Sequence, residues 1–134
     1  MAKADRKAYI VDNGFVQSSA FNLSQNLGRL LENQVFVELL RSGYVPGKTL
    51  FYYWSRNNRE VDFVTRKGNK VERLIQVSYS IASSKTKQRE ISALTECSKE
   101  LFCNDLTIVT FSESDTINNE KNGIKVVPII DFCK

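Results

Sequence analysis

"EVDFVTRKGNKVERLIQVSYS", residues 60–80, decides how this chain folds. Two apolar stretches run into and out of a glycine-containing turn, and Asp62 and Gln76 interrupt them. Side chains alternate along a strand, so Glu60, Asp62 and Val64 are expected on one face and Val61, Phe63 and Thr65 on the other. On the returning strand Leu74, Gln76 and Ser78 oppose Ile75, Val77 and Tyr79. A two-residue loop at Gly68-Asn69 would set Asp62 against Ile75. A three-residue loop, Gly68 to Lys70, instead pairs Phe63 with Ile75, Val61 with Val77 and Val64 with Leu74, so that every apolar residue meets an apolar partner. We expect this second register, with glycine supplying the left-handed residue such loops need. It sets Asp62 opposite Gln76 and Glu60 near Ser78. A polar face of this kind is either solvated, as one face of an antiparallel sheet often is, or built around a cation. A buried carboxylate costs on the order of several kcal/mol unless it is paired or bound to metal. Spacing alone leaves both readings open.

The elements on either side follow from periodicity. "KAYIVDNGF" alternates into a short strand ending at the Asn13-Gly14 turn. Ser24 can cap a helix over "SQNLGRLLENQVFVELLRSG", whose Leu27, Leu30, Leu31, Val35 and Leu39 recur at helical spacing and which closes at Gly43. "TLFYYW" is an aromatic strand and "SRNNR" a turn. After the hairpin, "SSKTKQREISALTECSKELF" opens on capping serines and places Ile91, Leu94, Leu101 and Phe102 on one apolar side, which predicts a second helix. "DLTIVTF" reads as a buried strand, "SESDTINNEKNG" as a solvated loop and "IKVVPII" as a last strand stopped by Pro128. A helix linking the meander to "LTIVTF" is a crossover suited to parallel pairing. A single α/β domain over residues 1–134 with a mixed central sheet flanked by helices is therefore expected.

Composition narrows the chemistry. The 134 residues are 42% hydrophobic and 25% charged with a net charge of +4, a balance that permits a polyanionic partner without requiring one. No run of about 18 apolar residues is present, and "MAKADRKAYI" has no signal-peptide core, so the expectation is a cytoplasmic protein without a membrane partner. Cys97, Cys103 and Cys133 lack CxxC spacing and sit beside apolar residues, as buried or partly buried thiols do. Histidine is absent, which removes Ser-His and Cys-His nucleophiles and the usual zinc sites. Any metal here would be a hard cation such as Mg2+ or Mn2+, held by oxygen. No GxxxxGK[ST] loop occurs, so this chain binds no nucleotide in that way and is not itself the ATPase of any complex it joins.

The order of "LENQVFVELL" with its acid Glu32, "NREVDFV", "LIQVSYS" and a helix opening "KQREISAL" resembles the C-terminal domain of bacterial and archaeal AAA-type ATPases, with the restriction-endonuclease-like PD-(D/E)xK nuclease fold. The resemblance covers nearly the whole chain, and a domain fragment of a larger ATPase is one form it would take. It implies a metal site of Glu32, Asp62 and Gln76, with the motif lysine at Ser78. Ser78 is a departure from the pattern. A lysine there orients the attacking water and offsets charge on phosphorus, and a serine hydroxyl does neither. Lys85, Lys87 and Arg89 at the start of the second helix are candidate substitutes. Arg66, Lys67, Lys70 and Arg73 on the hairpin are weaker candidates for DNA phosphate contacts.

Two readings follow. One is a non-catalytic or impaired accessory domain that binds nucleic acid or a protein partner for an ATPase. The other is an active magnesium-dependent DNA endonuclease, resolvase-like, that takes its lysine from Lys85 or Lys87. A subunit-assembly module is a blander third option, and no repeat supports it.

Overall fold

The computed structural model describes residues 20–118 and 123–134. The strand expected at residues 7–15 lies outside them. The elements are α1 (Ala20–Arg41), β1 (Leu50–Trp54), β2 (Glu60–Lys67), β3 (Lys70–Val77), α2 (Ser84–Leu101), β4 (Leu106–Thr110), β5 (Asp115–Asn118), β6 (Gly123–Pro128) and α3 (Ile129–Phe132). They build one six-stranded sheet in the order β1-β2-β3-β4-β6-β5. The meander β1-β2-β3 is antiparallel, β3-β4 and β4-β6 are parallel, and β5 closes the sheet antiparallel to β6. The α/β class and the mixed sheet are as the sequence implies.

Alternation along β3 divides the interior in two. Leu74 joins a core with Leu94 and Cys97 of α2, Leu106, Ile108, Ile124 and Val126. Ile75, one residue on, joins a second core with Val35 and Leu39 of α1, Phe63 and Val109, closed by Ile129 and Phe132 of α3. The sheet is thus covered by α2 on one face and by α1 with α3 on the other. Truncating a residue as buried as Leu74 costs about 2–5 kcal/mol in sites of this kind.

The hairpin register is the expected one at its centre, reached by a different route. Phe63 pairs Ile75 and Val64 pairs Leu74, yet Lys67 pairs Lys70 across a two-residue turn, Gly68-Asn69, with Gly68 at φ +63°. Between Thr65↔Arg73 and Arg66↔Val71, β3 carries one residue more than β2, and this bulge restores the apolar pairing. A second bulge lies on β2. Phe51↔Val64 is followed by Tyr53↔Val61, so β2 holds an extra residue at Asp62-Phe63. Val61 therefore joins Val64 in the α2-side core, against the simple alternation, while Phe63 faces α1.

Helix ends account for most remaining differences. Ser24 lies within α1 (Ala20–Arg41) and not at its N-cap. Its other end is a Schellman arrangement in which the Tyr44 N–H reaches the Leu39 carbonyl (3.2 Å) and the Gly43 N–H reaches that of Leu40 (3.0 Å), with Gly43 at φ +99°. Leu30 is exposed rather than part of the buried stripe. Ser83 caps α2, its side chain accepting from Thr86 N. "DTIN", expected in a loop, forms the edge strand β5, and Pro128 ends β6 by opening α3. Cys97 and Cys103 are buried free thiols and Cys133 is half-buried. Burial pushes the Cys97 thiol up to about 12. Among the described residues no helix is long and apolar enough to cross a membrane.

Phe102 is the clearest misfit. It caps α2 in the left-handed conformation (φ 55°, ψ 47°) and is 93% exposed, so it is not on the apolar side expected of it. A side chain in that conformation costs about 1–2 kcal/mol, and at this exposure little burial offsets it. Phe102→Gly should therefore raise stability by about 1 kcal/mol, read as a higher urea midpoint at unchanged m-value. A lower midpoint would show that the ring makes contacts that matter.

Candidate functional site

One end of the β2-β3 hairpin opens into a groove of about 760 Å³ between α1 and α2. Its lining joins four pieces of chain: Gln25, Gly28, Arg29 and Glu32 of α1; Asn57 to Glu60 and Asp62; Gln76 and Val77 of β3; and Arg89, Glu90, Ala93 and Glu96 of α2. Glu32, Asp62 and Gln76, which are far apart in sequence, thus line one groove.

Gln76 is 2% exposed and its amide is fully engaged. Its Oε1 accepts the Asp62 N–H at 2.9 Å, and its Nε2 donates to the Glu60 carbonyl at 2.9 Å and to Glu90 Oε1 at 3.0 Å. Asp62 reciprocates, Oδ2 accepting the Val77 N–H at 2.8 Å. These side-chain bonds to backbone continue the hairpin where β2 and β3 part, beyond Phe63↔Ile75. They also fasten α2 to the sheet through Glu90, which is 8% exposed and carries an Arg89 contact at 4.0 Å.

The wall made by the β1-β2 turn is tied to α2 as well. Ser55 is buried, donates its hydroxyl to Glu96 Oε2, and accepts the N–H groups of Asn57 (3.3 Å) and Arg59 (3.0 Å). Glu96 also accepts from Asn57 Nδ2 (3.3 Å) and lies 3.7 Å from Arg59 Nε. The Ser55 hydroxyl, with Asn57 and Arg59, holds the Glu96 carboxyl below its ordinary value. Trp54 Nε1 donates to Glu60 Oε2 at 2.8 Å. Tyr53 donates to Glu100 at 2.6 Å, and that carboxylate together with burial pushes the phenol up to about 12.

The other sequence candidates fall elsewhere. Ser78 does not line the groove; its hydroxyl donates to the Ser80 carbonyl at 2.9 Å. Lys85 is also absent from the lining, and Lys87 is drawn to Asp115 Oδ2 at 3.6 Å. Of the three basic residues opening α2, Arg89 alone lines the groove. Arg66, Lys67 and Lys70 surround the hairpin tip, roughly 13–17 Å along the strands from Asp62. Arg66 lies over the Phe51 ring (5.8 Å). Arg73 lies over Phe132 (5.4 Å) with its Nε buried, which is a packing role. Sequence reasoning overlooked Glu90. Its signal was an acid at helical spacing from Leu94 and Cys97, on the apolar face of α2.

For a cation the donor set is thin. Among the described residues no group of three or more Asp, Glu or Cys converges to hold a metal ion. Glu32 and Asp62 bring carboxylates to the groove, and the amide oxygen of Gln76 already accepts a hydrogen bond.

Residues 27–132 match a family described as a domain of unknown function, DUF4143. The chain belongs to that family. DUF4143 is found in proteins associated with AAA-type ATPases. Among relatives, the chain is 39% identical over 128 residues to the uncharacterised protein MJ1544 of Methanocaldococcus jannaschii, covering 91% of this chain and 28% of that one. It is 27% identical over 132 residues to an uncharacterised protein of Haemophilus influenzae, covering 97% and 29%. This DUF4143 chain thus spans under a third of the length of the curated relatives it matches. Among solved structures it resembles the half-complex refined from a tetradecameric assembly of Thermococcus gammatolerans McrB AAA+ hexamers with bound McrC, at TM-score 0.45 and 14% identity over 75% of this chain and 27% of that one. A likeness this loose carries no argument.

Two measurements check the geometry. Gln76→Glu sets an acceptor against the Glu60 carbonyl and Glu90, and should cost about 2–4 kcal/mol at neutral pH. These acceptors raise the pKa of the new carboxyl in the folded state, so the penalty grows as pH rises through the ordinary carboxylate range and shrinks in acid. Denaturation midpoints from pH 4 to 8 read this directly; a penalty independent of pH would refute it. For Glu96, whose folded value is depressed, the Ser55 bond stabilises above the unfolded value and is lost as pH falls through the folded one. A carboxyl NMR titration should find Glu96 below an ordinary glutamate, moving back up in Ser55→Ala.

Proposed function

We propose that this DUF4143 domain is a restriction-endonuclease-like accessory domain of an AAA-type ATPase system, with hydrolysis impaired or absent, that works by binding a nucleic acid or protein partner. The observation that carries this reading is Gln76. The position that would supply a metal-binding acid holds an amide whose donors and acceptor maintain the fold, and the lysine position, Ser78, bonds a turn carbonyl instead of facing the groove. Phosphodiester hydrolysis needs carboxylates on a hard cation and a positioned cation against the developing charge. Both positions are given over to structure.

If Mg2+ or Mn2+ binds, Glu32 and Asp62 would hold it, and it would polarise a phosphate. The alternative, an active DNA endonuclease, draws its support from Arg89, the cation of α2 that lines the groove. Lys85 and Lys87 would have to move to serve there.

The test is cleavage of linear, supercoiled and branched DNA by the purified chain with Mg2+ or Mn2+. The expected result is no cleavage above the level of Asp62→Ala. Cleavage abolished by Asp62→Ala and by Arg89→Ala would establish the enzyme instead. Ser78→Lys examines the same point from the other side, since activity appearing only in that variant marks a degenerate nuclease site.

A further inference from the structure

Four exposed cations gather at the end of the hairpin that points away from the groove. β4 joins β3 at Leu74 and β1 leaves β2 at Thr65, so the last rungs of the β2-β3 ribbon project beyond both neighbours. Arg66, Lys67, Gly68, Asn69 and Lys70 are all exposed there. The ladder sets Lys67 directly opposite Lys70, and like charges so placed are unfavourable on their own. Arg66 Nε donates to the Gly68 carbonyl at 3.0 Å while its guanidinium lies 5.8 Å from the centre of the Phe51 ring, which holds that cation at the tip. The Thr49 carbonyl accepts the Arg66 N–H at 2.9 Å and so brings the turn carrying exposed Lys48 to the same end. Among the described residues none of these four cations enters an ion pair. Glu72, two residues beyond Lys70, accepts from the Tyr44 hydroxyl instead.

We propose that this projecting tip is a contact surface for the phosphate backbone of a nucleic acid duplex, with Lys48, Arg66, Lys67 and Lys70 each meeting a phosphate and none reading sequence. Lysine ammoniums are compact point charges that suit phosphate, and counterion release from a duplex supplies affinity without any apolar contact. The ligand's charge would also relieve the opposed pair Lys67 and Lys70. A protein partner fits less well, because Arg66 to Lys70 carries no apolar side chain, whereas protein interfaces centre on apolar and aromatic groups and are poor in lysine. Single strands bind by stacking bases on aromatic faces, and Phe51 is half-buried under the Arg66 guanidinium. A two-stranded ribbon has a width that the major groove of a duplex admits. The groove makes the opposite case, being lined by five carboxylates and three arginines. The inference rests on the reading that this domain works by binding, and it places the nucleic acid at the tip, roughly 13–17 Å along the strands from Asp62.

The experiment measures fluorescence anisotropy of a labelled DNA duplex of about 20 base pairs against the purified chain, in EDTA and over a range of salt. Saturable binding is expected, alike for unrelated sequences, with a log–log salt slope of about −3 to −4 from four contacts at roughly 0.9 each, or roughly a hundredfold between 50 and 200 mM salt. Lys67→Gln with Lys70→Gln should weaken binding at least about tenfold at low salt and cut the slope by about two. Its urea midpoint should hold or rise, since opposed like charges are removed, so weaker binding there reads lost contact. Lys125→Gln with Lys134→Gln takes the same charge from exposed positions elsewhere and should leave affinity within about twofold. The proposal is overturned if the duplex fails to bind at low salt, or if the two double variants weaken binding equally. It is also overturned if the single strand binds more tightly than the duplex, or if polyglutamate competes as well as DNA does, the result an acidic protein partner would give. Because EDTA removes the metal, DNA cleavage in the preceding assay would sink the impaired-nuclease reading and leave this titration unaffected.

Discussion

The groove depends on one side-chain amide. Where β2 and β3 separate, Gln76 replaces the missing ladder bonds, taking the Asp62 N–H and giving to the Glu60 carbonyl, and it reaches Glu90 to hold α2 at the same point. Only a carboxamide offers an acceptor and two donors in one plane. A glutamate has no donor for Glu60 or Glu90 at neutral pH. The demands of binding a cation and of joining three elements therefore conflict at residue 76. In this chain the joining role occupies the side chain.

The charges around the groove follow the same logic. Five carboxylates and three arginines line it, in a chain whose net charge is +4. Most of those acids hold pieces of the wall together: Glu60 accepts from Trp54, Glu96 from Ser55 and Asn57, Glu90 from Gln76, and Asp62 from the Val77 amide. Arg59 and Arg89 stand beside Glu96 and Glu90. A bare phosphodiester entering the groove would meet more carboxylate than guanidinium. The overall basic charge of the chain is therefore a poor guide to what this surface prefers, because the excess lysines and arginines lie elsewhere, several of them at the hairpin tip.

Much of the fold is legible in the sequence because apolar pairing is a strong constraint. Phe63 against Ile75 and Val64 against Leu74 follow from the pattern of apolar residues alone, since slipping the register by one residue turns a whole strand's core side chains to water. The route is not legible. A two-residue turn plus a bulge gives the same pairing as a three-residue loop, and nothing local to Glu72 distinguishes them. β5 escapes notice because edge strands are short and polar, so "DTIN" carries no periodicity to read. At the site, Glu32, Asp62 and Gln76 line one groove. What Gln76 does there is hidden from the sequence, because its three bonds depend on backbone groups that no spacing displays.

Ser78 shows the same competition two residues further on. Its hydroxyl closes the bend after β3 onto the Ser80 carbonyl, while Glu113 from the β4-β5 connection accepts from Ser80 Oγ (2.8 Å) and from the Ile81 N–H (2.6 Å). Thr110 in turn donates to the Glu113 carbonyl and accepts its N–H. The bend that would have to present a lysine to the groove is thus fixed from both sides, and the short hydroxyl serves it where a long ammonium side chain could not make the same local bond. Ser78 is the position at which this chain departs from the pattern its sequence resembles, and Gln76 stands two residues before it. At both, the side chain present has bonds to make within the fold, so a substitution there gives up structure that the side chain now holds.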